Sequence, residues 1–182
     1  GFRGEALASI GSVARLTIRS RTPGDHTASS IVVDAGRSEP VMPASGAVGT
    51  LIEVRNLFHA TPARRKFLKT PQTERGRCLT VIRELALANP LVGFRLVTDG
   101  RVVLDVEPNQ HPRERVLDVI GRELEPKLLE AHADAFDDAR GIALWGLVGL
   151  PEIARPTAIA QHVFVSGRPV RDRTIQHALR EA

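Results

Sequence analysis

A single cysteine, Cys78, leaves no partner for an internal disulfide and no set for a multi-cysteine metal site. It falls among apolar neighbours on a segment of helical period, so a buried, inert thiol is expected. Aromatic residues make up only 4% of the chain, which leaves few rings on which bases could stack. No apolar run approaches the roughly 18 residues that span a bilayer, and no signal-peptide pattern precedes the first helix, so a cytoplasmic protein is expected. The six histidines are scattered singly, and HExxH, GxSxG and Cys/His clusters are all missing. No general base, nucleophile or metal ligand can therefore be named, and the catalytic and metal sets stay empty.

What is present is ordinary globular material: 182 residues, 42% hydrophobic and 25% charged, enough for one large domain or two small ones. The net charge of +4, from 25 Lys and Arg against 21 Asp and Glu, permits a polyanionic partner without requiring one. Residues 4–13 carry Leu7 and Ile10 at helical spacing, and 15–21 alternates as a half-buried strand with Leu16 and Ile18 inward. Thr22-Pro23-Gly24-Asp25 supplies a turn. Strands are expected at 30–34 and 40–43, as antiparallel meander neighbours of the first, and Gly49-Thr50 opens another. Thr61-Pro62 reads as an N-cap with proline at the first helical position.

Thr70-Pro71-Gln72-Thr73 is the expected domain boundary, dividing 1–70 from 71–182. Beyond it, 74–88 reads as a helix with Cys78, Val81, Ile82, Leu85 and Ala88 inward. VGFRLVTDGRVVLDVEP reads as a hairpin closed at Asp99-Gly100. A helix over 112–131, broken or kinked at Pro126, strands at 141–150 and 161–165, and a last helix capped by Asp172 complete the reading. Sheet plus helices in both halves makes the fold class α+β.

Three stretches bear on chemistry. GFRGEAL, at 1–7, places glycines at a helix entry, where unpaired N–H groups and the helix dipole favour a phosphate chain; an ordinary glycine-containing helix start is the plain alternative. Arg64, Arg65, Lys66 and Lys69 form either a solvated helix face or a phosphate contact. VSGRPVRDR packs Arg168, Arg171 and Arg173 into one turn, with Asp172 alone to offset them.

Taken together, GFRGEALASI (1–10), GT (49–50), ATPARRKFLK (60–69) and VSGRPVRDR (165–173) resemble, in order and interval, the MutL family of DNA mismatch repair proteins. The resemblance implies a partial GHKL-type ATPase α/β sandwich followed by a ribosomal S5 domain 2-like α/β domain. It also implies an ATP lid in which Arg3, Gly4, Glu5, Ala6 and Leu7 meet the triphosphate through backbone N–H groups, with Gly1 and Phe2 as hinge. Thr50 matches the family's Gly-Thr motif, in a supporting role under the nucleotide. The family's water-activating Glu, magnesium-binding Asn and Asp-x-Gly-x-Gly do not occur here, nor does its second-domain lysine. ATP and Mg2+ are thus implied for a longer parent ATPase, with the ligands upstream and this piece inactive alone.

His59-Ala60 departs from the family's usual Tyr-Asn. The implied partners are DNA, a second copy through the amino-terminal region on ATP binding, a mismatch-sensor protein and a downstream nuclease or helicase. The location would be cytoplasmic and nucleoid-associated, without membrane. Arg155, Arg168, Arg171 and Arg173 are the DNA-facing candidates. The competing reading is a non-enzymatic nucleic-acid or partner-binding module on the same scaffold.

Overall fold

In the computed structural model, which describes residues 4–136, 141–155, 157 and 160–181, the chain divides into two compact units, Gly1–Pro71 and Gln72–Ala182. The first unit opens with α1 (Ala6–Gly11) and continues through β1 (Arg15–Arg21), β2 (Ala28–Asp34), β3 (Arg37–Ser38), β4 (Met42–Ala44), β5 (Gly49–Arg55) and the single helical turn α2 (Pro62–Arg65). The strands form one sheet of order β3-β2-β1-β5, with β4 also on β2.

β1, β2 and β4 are antiparallel neighbours in that order, as expected. β5 returns to the free edge of β1, so β1 is central and pairs antiparallel with both β2 and β5. Centrality explains the alternation of β1: Leu16 is buried while Arg15 is exposed. Burying a leucine of this kind contributes roughly 1.5–3 kcal/mol. β5 lacks that cover, and Leu51, Ile52 and Val54 remain exposed. Gly11 lets α1 approach the sheet, since a Cβ there would stand 2.9 Å from Cγ1 of Val33. The following link is tied down by Gly36 N–H to the Gly11 carbonyl (2.9 Å) and Phe58 N–H to the Val13 carbonyl (2.7 Å). Thr61 and Pro62 do open α2, but the Thr61 hydroxyl makes no capping bond and is buried without a partner.

The second unit carries α3 (Pro71–Ala88), β6 (Phe94–Thr98), β7 (Arg101–Val106), α4 (Pro112–Ile120), β8 (Leu128–Phe136), β9 (Gly141–Gly149), β10 (Val163–Val165), β11 (Arg168–Val170) and α5 (Arg173–Glu181). The helix starts at Pro71, inside the stretch read as a linker, because proline suits the first turn of a helix. Its inward face also differs from the expected one. Ala86 is buried and Ile82 half-buried, whereas Cys78, Val81 and Leu85 are exposed. The expected buried thiol is therefore wrong: Cys78 lies near the start of α3, away from the cluster of Ala86, Leu104, Val106 and Val119 that Ile82, Leu87, Phe94 and Leu96 complete.

The hairpin of β6 and β7 is as expected, with Asp99 (φ 49°) and Gly100 (φ 75°) both left-handed, as a primed turn needs. The helix expected over 112–131 is not one element. Gly121 adopts φ 122° and ψ 124°, ending α4; a 3-10 segment, Arg122–Lys127, contains Pro126, and Leu128 begins β8. Three antiparallel pairs result: β6 with β7, β8 with β9, and β10 with β11. Among the described residues, no helix is long and apolar enough to cross a membrane.

Candidate functional site

Gly4 holds φ +65°, and no atom lies within 4 Å of where its Cβ would stand, so glycine is required here by the backbone and not by crowding. Glu5 occupies the N-cap position with φ −90° and ψ −4°, and its side chain makes no capping bond. The first intrahelical turn closes with Ser9 N–H on the Glu5 carbonyl (2.9 Å), which leaves the N–H groups of Ala6, Leu7 and Ala8 without intrahelical acceptors. With no acidic side chain in the first turn of α1, an anion would meet donors and a favourable dipole. Gly1, Phe2 and Arg3 lie outside the described residues.

Thr50 is exposed on β5 and opposite Ser20, with the two hydroxyl oxygens 2.9 Å apart. That is the end of β1 remote from α1, and among the described residues no hydrogen bond joins Thr50 to Gly4, Glu5, Ala6 or Leu7. The structure thus leaves these two family motifs apart.

A polar cluster that the sequence did not announce lies at the other end of β1. Asp34 Oδ2 accepts from Arg15 Nη1 at 3.1 Å, and Oδ1 lies 2.8 Å from His59 Nε2. His59, the departure from the family pattern, is thereby tied to β2 beside two left-handed residues, Asn56 and Phe58. Such long-range partners leave no local spacing to detect. Arg64, Arg65 and Lys66, just beyond, are exposed and form no ion pair among the described residues.

In the second unit Arg168 begins β11 after a primed turn at Ser166 and Gly167, and Arg173 begins α5. Arg171 is not free: its Nη2 donates to Glu84 Oε1 at 2.7 Å, a bond that, with Glu84's charge, holds the guanidinium still more firmly protonated. Asp172 Oδ1 accepts from the N–H groups of Thr174 (2.8 Å) and Ile175 (3.1 Å), offsetting the unfavourable placement of Arg173 at a positive helix end. Arg155 is exposed beyond the short 3-10 turn Pro151–Ile153. Among the described residues, no three His, Cys, Asp or Glu side chains gather as a metal site.

A family model described as "DNA mismatch repair protein, C-terminal domain" matches residues 116–182. The chain is 48% identical over 182 residues to the DNA mismatch repair protein MutL of Acidiphilium cryptum and 49% identical over 183 residues to that of Thiobacillus denitrificans. All of the chain is covered in both, but it spans only 30% of the length of each relative. Among solved structures, the Aquifex aeolicus MutL ATPase domain complexed with ADP is 32% identical with a TM-score of 0.77, covering 99% of this chain and 68% of that one. The N-terminal domain of a DNA repair protein superposes with a TM-score of 0.83 at 26% identity, covering 58% of its chain.

Proposed function

This chain belongs to the MutL family of DNA mismatch repair proteins, and from that premise we propose that it forms the nucleotide lid and the transducing half of an ATP-driven clamp on DNA. Its fold class is α+β, a partial GHKL-type ATPase sandwich followed by an S5-like domain. In this reading the lid unit is residues 1–70 and the transducer 71–182.

The observation that carries the proposal is the left-handed turn at Gly4 with unpaired N–H groups at the start of α1. These groups fit a phosphate chain, and Gly4, Glu5, Ala6 and Leu7 would hold it through the backbone, with Arg3 beside them. Bound ATP would supply the triphosphate charge that these donors lack. Thr50 would support the sheet beneath the base through its hydroxyl link to Ser20. Ordering of such a segment by a γ-phosphate is a known switching device, and glycine at its base allows the movement. The residues that activate water and bind Mg2+ belong, in this reading, to the part of the protein outside these 182 residues.

Clamp closure would pair two amino-terminal regions around DNA, with hydrolysis releasing them. A mismatch-sensor protein would act upstream and a nuclease or helicase downstream, in the cytoplasm. Arg155, Arg168 and Arg173 would contact phosphates, with Arg171 acting partly through its bond to Glu84. ATP hydrolysis by the longer protein that carries this chain tests the proposal, with Gly4→Val as the perturbation. A β-branched residue is strained at φ +65°, so ATPase turnover should fall by about tenfold or more while the second unit stays folded. Unchanged turnover would remove the lid assignment.

A further inference from the structure

Arg19 and Arg21 share one face of β1 with Arg15, but whereas Arg15 is paired with Asp34, neither side chain makes an ion pair or hydrogen bond among the described residues. The Nε of each is buried without an acceptor, and a desolvated guanidinium donor is costly to leave unmade. Arg21 lines an open groove of about 620 Å³ at the end of β1 remote from α1, together with His26, Thr27, Ser45 and Gly46 among others. Gly46 rests on the stem of Arg19: a Cβ there would stand 3.1 Å from Arg19 Cδ. The arginine beneath the loop is thus held in place.

The nearby carboxylate, Asp25, is already engaged. Its Oδ2 accepts from the Thr22 hydroxyl at 2.6 Å and the Thr22 N–H at 3.2 Å, and it makes no hydrogen bond to either arginine. Those two bonds, more than the charge of Arg21, lower its pKa and keep it ionised inside the turn. The groove therefore gathers the Arg21 guanidinium, an imidazole and two hydroxyls, with Arg19 packed against Gly46 at its wall and one acid turned to Thr22.

We propose that this groove binds a phosphate group. The fork of Arg21 donates to its oxygens, Arg19 adds its charge from against Gly46, and His26, Thr27 and Ser45 complete the ring of donors. A free phosphate and a phosphodiester backbone share this chemistry, and the test separates them. The site is distinct from the lid and does not rest on the nucleotide reading.

The experiment follows the arginine Nε–H resonances of the 15N-labelled 182-residue chain in phosphate-free buffer, titrated with inorganic phosphate, with pyrophosphate and with a short DNA duplex. The expected result is a saturable shift of the Arg19 and Arg21 resonances together. Arg21→Met and Arg19→Met should each weaken binding by about tenfold, and Arg21→Lys, which keeps charge without the fork, should recover part of it. A response to phosphate and pyrophosphate alone assigns a free phosphate. A response to duplex, with a salt slope lowered by ~0.9 for each arginine removed, assigns the backbone. The double variant T27A/S45A leaves β1 untouched and should weaken binding several-fold. No saturable shift with any titrant, or unchanged binding in the arginine variants or in T27A/S45A, overturns the site.

Discussion

Arg115 is the residue whose removal should cost the second unit most. It is fully buried on α4, with Nη1 donating to the carbonyls of Ala86 (2.8 Å) and Asn89 (3.1 Å). Nη2 reaches those of Pro90 (3.1 Å), Val92 (2.8 Å) and Glu107 (2.6 Å), and Nε reaches Oε1 of Gln110. A guanidinium has five N–H donors, so these six acceptors use all of them. The carbonyls come from the end of α3, the link to β6 and the end of β7, so one side chain ties together elements far apart in sequence. Burial disfavours the charged form, against which the charge of Asp118 acts.

Arg115→Met keeps much of the volume but strands several buried carbonyls. Each stranded group costs about 1–3 kcal/mol, moderated by water entry, so a net loss of about 3–5 kcal/mol is expected. Arg115→Lys keeps the charge but has three donors and no fork, and should recover little. Trp145, the sole tryptophan, lies in β9 of the same unit, so its fluorescence in a urea titration reads the loss as a lower midpoint. A change below about 1 kcal/mol in Arg115→Met would refute the view that this network holds the unit together.

Three further outcomes follow from local geometry. Asp172→Ala removes the acceptor for two N–H groups of α5 and should cost about 1 kcal/mol, read in the same titration. The Glu130 carboxyl accepts from Trp145 Nε1 at 2.6 Å, and that bond, followed by the charge and hydrogen bond of His132 and the charge of Arg113, holds its pKa below the usual carboxylate range. Because the folded pKa is depressed, its contribution is present above the ordinary carboxylate pKa and is lost as pH falls through the lower folded one. Glu130→Gln should therefore flatten the acid limb of the stability profile, and an unaltered limb would count against the bond. Charge reversal of Arg155, Arg168 and Arg173 together should weaken duplex binding and flatten its salt dependence, read by filter binding, whereas Arg171→Glu should also destabilise the unit by setting like charges against Glu84, read in the same urea titration.

The legible parts of the fold were those in which one segment carries its own instruction. The Asp99-Gly100 turn, the alternation around Leu16 and the Asp172 cap each depend on neighbours a few residues away. The errors arose where distant partners decide. The inward face of α3 is chosen by β7 and α4, and so left Cys78 outside. The segment after Gly121 is apolar enough for a helix but pairs with β9 as a strand. At the candidate site, Gly4 and the helix start were readable from GFRGEAL, whereas the Asp34 link to His59 and the Glu84 link to Arg171 join residues with no shared local pattern.

The most direct test of the lid is hydrogen–deuterium exchange across residues 4–8 of the longer protein that carries this chain, with and without a non-hydrolysable ATP analogue and magnesium. The unpaired N–H groups of Ala6, Leu7 and Ala8 should become strongly protected when the analogue is present. Exchange there that is the same in both conditions, in a protein shown to be saturated with the analogue, would contradict it.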